Sequence, residues 1–150
     1  MIFTSYFSKV KYIAGKEPDL EFVSIAGKTP EWLEDGLIKI HKFKDFMPKY
    51  EWWKTWHEKF KDDYESEKSK KWYEEKYNET VLSKLNPNDA QFRLYELSNR
   101  KNVVLLCYET PEKFCHRHLV SKWFMKNGIM CGEIDMGDLK ENEKWVQVVT

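Results

Sequence analysis

The sequence predicts a single α/β domain over residues 1–150, with a mainly parallel sheet carrying helices on both faces in a Rossmann-like three-layer arrangement. Three observations predict it. Residues 103–108 (VVLLCY) are apolar on both faces of a strand, the pattern of a central parallel strand covered from two sides. Shorter β-prone runs at residues 2–7, 22–26 and 129–135 alternate with segments of helical periodicity. A chain of 150 residues can bury one sizeable core but is too short for two ordinary domains, and no repeat or low-complexity linker interrupts it.

In chain order, residues 2–7 (IFTSYF) and 22–26 (FVSIA) read as two short strands. Gly15 and Pro18 mark the intervening KVKYIAGKEPDL as a loop rather than a crossover helix, with one turn of helix as the alternative. After the second strand comes GKTPEW, where Thr29 can cap a helix, Pro30 can take its first position and Trp32 can begin its apolar face. Free amides at such a helix start can receive an anion. With one glycine and no phosphate-loop pattern, an ordinary turn is the preferred reading.

Residues 38–84 have the most unusual composition, with Trp52, Trp53, Trp56, Tyr64, Trp72, Tyr73 and Tyr77 set among many charges. Pro48 divides the segment. Trp52, Trp53, Trp56 and Phe60 recur at helical spacing over residues 49–60, and Trp72, Tyr73, Tyr77, Val81 and Leu85 do so over 64–85, which predicts two amphipathic helices covering a sheet face. A nucleic-acid surface would also interleave Lys with aromatics. From Lys39 to Lys84, however, 12 Lys face 10 Asp and Glu, so phosphate attraction would be small and packed helices, with a possible lid function, are favoured. Residues 86–89 (NPND) form a turn, and 89–99 a short helix with Phe92, Leu94, Tyr95 and Leu97 as its apolar residues.

The central strand carries Cys107 to its carboxyl end, where sites form in open α/β sheets. Thr110 suits an N-cap, Pro111 the first helical position, and Asn127-Gly128 a stop, which predicts a helix over 111–127. Helical phase puts Leu119, Val120, Trp123 and Phe124 on the buried stripe, His116 at its centre, Cys115 and Arg117 on its flanks and His118 on the opposite side. Residues 129–135 then form another strand containing Cys131, and 145–149 (WVQVV) are either an edge strand or a tail.

Two Cys, a His, an Arg and a Glu so close to one strand-to-helix junction favour a functional site. Cys107 or Cys115 is the candidate nucleophile, His116 the acid or base, Glu109 its orienting partner and Arg117 an anion clamp, with Lys28, Thr29 and Tyr6 as further ligand-binding candidates. The blander reading makes each cysteine a small buried hydrophobe and His116 a satisfied core residue. Cysteine phosphatases bring Cys and Arg closer together than the nine residues separating Cys107 from Arg117, so their loop is absent. Zinc could draw on Cys107, Cys115, His116 or His118, and Cys131, but no CxxC or HxxxH pair is present and the two histidines point apart, so no cofactor is the default expectation.

Bulk properties narrow the classes. Lys and Arg number 25, as do Asp and Glu, so net charge favours neither nucleic acid nor acidic membranes. Three irregularly spaced cysteines and no signal-like start predict reduced thiols and a cytoplasmic protein, and no apolar run is long enough to span a membrane. Aromatics are 16% of residues, high for so charged a chain, so some should line a cleft or partner surface.

The stretch LLCYETPEKFCHRHLVSKW resembles the signature of the bacterial and phage family known as domain of unknown function 488, in which a strand ending in Cys and Glu leads to a Cys-His-Arg helix. TSYFSK, SIAGKTPEW and YEEKYNETVLSKL look like one branch of it. The resemblance implies an α/β domain with a site on Cys107, Glu109, Cys115, His116 and Arg117. The commoner branch carries Asp-Val-Arg where Ser24–Lys28 stand here, with Lys28 the substitute cation. Together these readings predict a thiol-dependent enzyme for a nucleotide-like or other anionic substrate. The alternatives are a non-catalytic binder of such a ligand and, third, a zinc-supported or nucleic-acid-associated module. Oligomeric state is not legible.

Overall fold

The computed structural model describes residues 1–34, 36–134 and 148–149; the expected strand end at Asp135 and residues 145–147 lie outside these. Strands β1 (Ile2–Tyr6), β2 (Glu21–Ser24), β3 (Ile40–Lys42), β4 (Val103–Cys107) and β5 (Cys131–Ile134) are joined by β6 (Val148–Val149) in one sheet of order β3-β2-β4-β1-β5-β6. The first five are mutually parallel, and β6 is antiparallel to β5 at the edge. β4 lies centrally as its composition predicts: Val103 is in register with Ile2 on one side and Glu21 on the other, and all five β4 residues are buried.

Alternation along β4 builds two cores and hence three layers. Val103 and Leu105 pack with Val23 and Ile25 beneath Phe46, Tyr77, Val120 and Phe124. Val104 and Leu106 pack on the opposite face with Phe3 and Phe22 against Val10, Ile13 and Leu33. Helices α1 (Val10–Lys16) and α2 (Glu31–Glu34) supply the second group, while α3 (Tyr50–Lys59), α4 (Glu67–Thr80), α5 (Pro87–Leu97) and α6 (His116–Lys126) lie over the first.

The segment after β1 is a helix, not a loop. Val10 and Ile13, three apart, are fully buried, and at roughly 1.5–3 kcal/mol each their burial outweighs the roughly 1 kcal/mol that Gly15 costs near the helix end. In α2, Leu33 carries the buried face and Trp32 is 51% exposed, while the Thr29 hydroxyl donates to Ser24 Oγ at 2.9 Å instead of capping. The short edge strand β3 has no signal in sequence, because three residues, two half-covered and one exposed, show no alternation.

The aromatic segment forms the two expected helices, satisfied partner to partner. Trp52 Nε1 donates to Thr80 Oγ1 at 2.8 Å, Trp56 Nε1 to Ser69 Oγ at 2.9 Å, and the Tyr77 hydroxyl to the Phe46 carbonyl at 2.6 Å. These three rings therefore keep their polar atoms bonded, as burial of Trp and Tyr requires. In α5, Ala90 and Leu94 face the core, while Phe92 and Tyr95 are exposed.

The helix expected from Pro111 begins only at His116. The Phe114 amide, which a helical turn would direct to Thr110, instead donates to the Glu65 carboxylate at 2.9 and 3.2 Å, a charge-assisted bond stronger than the helical one. Thr110 bonds Glu112 rather than capping, and Cys115 becomes the N-cap in extended conformation (φ −155°, ψ 145°). The stop at Gly128 is as expected: its φ of 78° suits glycine, and the Ile129 amide reaches back to the Phe124 carbonyl at 2.9 Å.

Candidate functional site

The ends of β4 and β2, the start of α6 and the faces of α3 and α4 enclose a cleft of about 850 Å³. Its floor is Cys107, Cys115 and His116. Trp53, Trp56 and His57 from α3, with Tyr64 and Tyr73, form one side; Gly27, Lys28, Tyr108 and Glu109 form another, and Glu65, Lys113 and Phe114 are among the other lining residues. The rings interlock: the Trp56 and Phe114 rings each sit edge-on to Tyr73, with centroids 4.9 and 5.0 Å away, and Trp53 stacks on His57 at 5.0 Å. The wall is therefore a continuous aromatic surface rather than isolated side chains.

Strand end and helix start bring the three floor residues together. Cys107 Sγ lies 3.6 Å from His116 Nδ1, and Cys115 Sγ lies within 4.8 Å of Cys107 Sγ and of a ring nitrogen of His116. His116 Nε2 is 2.7 Å from the Ile25 carbonyl. A carbonyl only accepts, so Nε2 carries a proton and Nδ1 is left as the ring's free acceptor, with Cys107 Sγ alongside the ring at 4.0 Å from Nε2. The backbone of β2's end thus sets the ring's tautomer and orientation, the role expected of Glu109, which lines the cleft as an exposed residue.

The two thiols differ. Burial opposes ionisation of Cys115, but its hydrogen bonds with Cys107 and His116 and the positive charge of His116 and Arg117 beside a thiolate outweigh it and hold its thiol well below the ordinary value. Sharing its proton with Cys115, together with burial, pushes Cys107 well above that value. Position agrees with chemistry, since Cys115 occupies the N-cap of α6, where a helix start favours a thiolate. All three cysteines of the chain are free, and Cys131 sits fully buried in β5, apart from this group.

Arg117 is not on the cleft wall. It is fully buried, and its Nε and Nη2 each donate to the Glu133 carboxylate at 2.9 Å, while Glu133 also accepts from Thr4 Oγ1 at 2.7 Å. Tyr6, expected to touch ligand, instead lies against this guanidinium, 5.7 Å from ring centre, and Thr29 is held by Ser24. Lys28 does line the cleft, with the Tyr108 hydroxyl bonded to its carbonyl. His118 is half-buried outside the floor group, burial lowering its basicity.

Sequence reasoning missed Ile25, Glu65, Tyr108, Phe114 and Glu133. A lone acidic residue inside the apolar run IMCGEI was a readable sign of a buried partner for Arg117; the others had none, because backbone and loop contacts leave no periodic trace. Among known proteins, no curated sequence and no solved structure matches. A family model described as DUF488-N3a, the active DUF488-N3 subclade, matches residues 36–128, a span that includes α3, α4 and all three floor residues.

Proposed function

From the premise that the chain belongs to the DUF488-N3a family, the active DUF488-N3 subclade, we propose that it is a thiol-dependent enzyme acting on a nucleotide-like substrate, with Cys115 as nucleophile. One observation carries this reading: Cys115, Cys107 and His116 converge on the floor of a cleft walled by aromatic rings. His116 Nδ1 takes the proton of Cys115, the sulfur bonds an electrophilic centre of the substrate, and the imidazolium returns the proton to the departing group. Water then releases the bound fragment and restores the thiol. Cys107 steadies the sulfur as a donor, and the buried Arg117–Glu133 pair stands behind it without touching substrate.

The walls support the substrate class. Trp53, Trp56 and Tyr64 offer faces for a flat heterocycle, whose stacking contributes roughly 1–3 kcal/mol per ring. Lys28 and Lys113 supply cations for an anionic group. Alkylation at pH 7 with peptide mapping tests the nucleophile: Cys115 should react faster than in a denatured control and be slowed by nucleoside phosphates. Equal rates in native and denatured protein would refute it.

A second reading is a non-catalytic binder of the same ligand, favoured by the fact that the aromatic wall is complete without either cysteine. Ligand-induced thermal stabilisation surviving Cys107→Ser and Cys115→Ser, with no product formed, would select it.

A further inference from the structure

The three floor residues that serve as nucleophile and partners above also form a set of soft donors on one side of a point in the cleft. We propose that Cys107, Cys115 and His116 bind one Zn²⁺, leaving its fourth position open to the cleft, and that the ion reversibly withholds Cys115 from its substrate. The regulatory half of this proposal rests on the thiol reading given above; the binding half does not.

Geometry carries the binding. A tetrahedral zinc with Zn–S about 2.3 Å and Zn–N about 2.0–2.1 Å separates sulfur from nitrogen by about 3.6 Å. Cys107 Sγ and His116 Nδ1 are 3.6 Å apart, and since the sulfur is also 4.0 Å from Nε2, a turn of the ring is what brings the Nδ1 lone pair onto the ion. Two thiolates on such an ion are about 3.8 Å apart, and Cys115 Sγ already lies within 4.8 Å of Cys107 Sγ and of a ring nitrogen of His116. Closing on the ion therefore asks a turn of the His116 ring and an approach of the Cys115 sulfur at the N-cap.

Two further features match. Metal-ligating histidines characteristically donate their other ring nitrogen to a carbonyl or carboxylate, and His116 Nε2 is held by the Ile25 carbonyl at 2.7 Å. Two sulfurs and an imidazole select zinc over magnesium or calcium, which take oxygen donors. All three residues line the cleft, so the fourth position faces solvent or ligand. The nearby Arg117 adds little net repulsion because Glu133 pairs with it in two bonds. The sequence lacks a short Cys or His pair because one ligand comes from a strand end and two from a helix start.

Binding replaces two S–H bonds with two Zn–S bonds and releases two protons, with no change in oxidation state. With both sulfurs engaged, neither is a free nucleophile, so zinc and alkylating reagent compete.

The reduced full chain, stripped by a chelator, is titrated with Zn²⁺ alone against a chromophoric chelator. One ion per chain is expected, and Cys107→Ser, Cys115→Ser and His116→Ala should each weaken binding by more than about 10–100-fold, the loss that outlying contacts to a ligand already produce. Cys131→Ala, outside the donor set, should bind as wild type. Absence of stoichiometric zinc, or affinity unchanged in the three variants, overturns the site. Cys115 alkylation is then compared in zinc-loaded and zinc-free protein. Loss of labelling on loading supports the regulation, and unchanged labelling overturns it. Zinc-free protein whose Cys115 reacts no faster than the denatured control refutes the nucleophile reading instead, and the titration result stands separately.

Discussion

Arg117 and Glu133 meet across the interior through two hydrogen bonds of 2.9 Å each, with Arg117 fully shielded from solvent. Such a pair contributes little relative to a well-packed apolar replacement, but losing one partner strands the other charge at a cost of about 3–5 kcal/mol. Arg117→Met and Glu133→Leu should each destabilise by roughly that amount in urea unfolding. The double variant should recover most of it, and additive losses would show that the two groups act independently.

Cys131 makes stability fall in alkali. Burial raises its thiol from 9.0 to about 12. Between those values the unfolded chain has shed a proton that the folded chain retains, so the unfolded state is favoured by about 1.4 kcal/mol per pH unit. The stabilisation is complete below pH 9 and is lost as pH rises toward 12. Tyr73 and Tyr77, raised well above 10.0 by burial, act in the same direction. Denaturant melts from pH 8 to 11 should show a shallower decline in Cys131→Ala than in wild type, and parallel curves would contradict this account.

Glu65 holds the segment before α6 open. Its carboxylate accepts the Phe114 amide, and with a partly solvated bond the loss in Glu65→Ala should be about 1 kcal/mol. The clearer readout is local: amide exchange at Phe114 should accelerate while exchange in β4 is unchanged. Equal protection in both proteins would mean another acceptor holds that amide.

Trp53 separates binding from folding. It is half-buried and stacks on His57 at the cleft wall, whereas Trp52 is buried and bonded to Thr80. Trp53→Ala should weaken binding of a nucleoside phosphate by about 1–3 kcal/mol in calorimetry with little change in melting temperature. Trp52→Ala should destabilise the fold by about 3–5 kcal/mol. Equal affinity in Trp53→Ala and wild type would move the ligand away from this wall.

Much was legible from local pattern. The double-faced apolar run of β4, the stripes of α3 and α4 and the glycine stop after α6 each follow from spacing within one element, because side-chain period and backbone dihedrals are local properties. The same reasoning placed Cys107 at a strand end and turned His116 inward, but it also put His118 on the outer side, where the structure half-buries it and encloses its Nε2. It failed where a local preference met a competitor from elsewhere in the chain. Gly15 argues for a loop, yet the sheet's demand for Val10 and Ile13 makes a helix.

The chain's own spacing determined that Cys107, Cys115 and His116 belong to one junction. Only the tertiary structure decided their chemistry. Glu65, 49 residues before Phe114, removes the amide that would have continued α6 backward and so puts Cys115 at the cap. Ile25, 91 residues before His116, fixes which ring nitrogen carries the proton. Glu133 draws Arg117 away from the cleft, because a buried guanidinium is stable only beside a compensating charge, and only the packing of α6 on β5 puts that charge within reach.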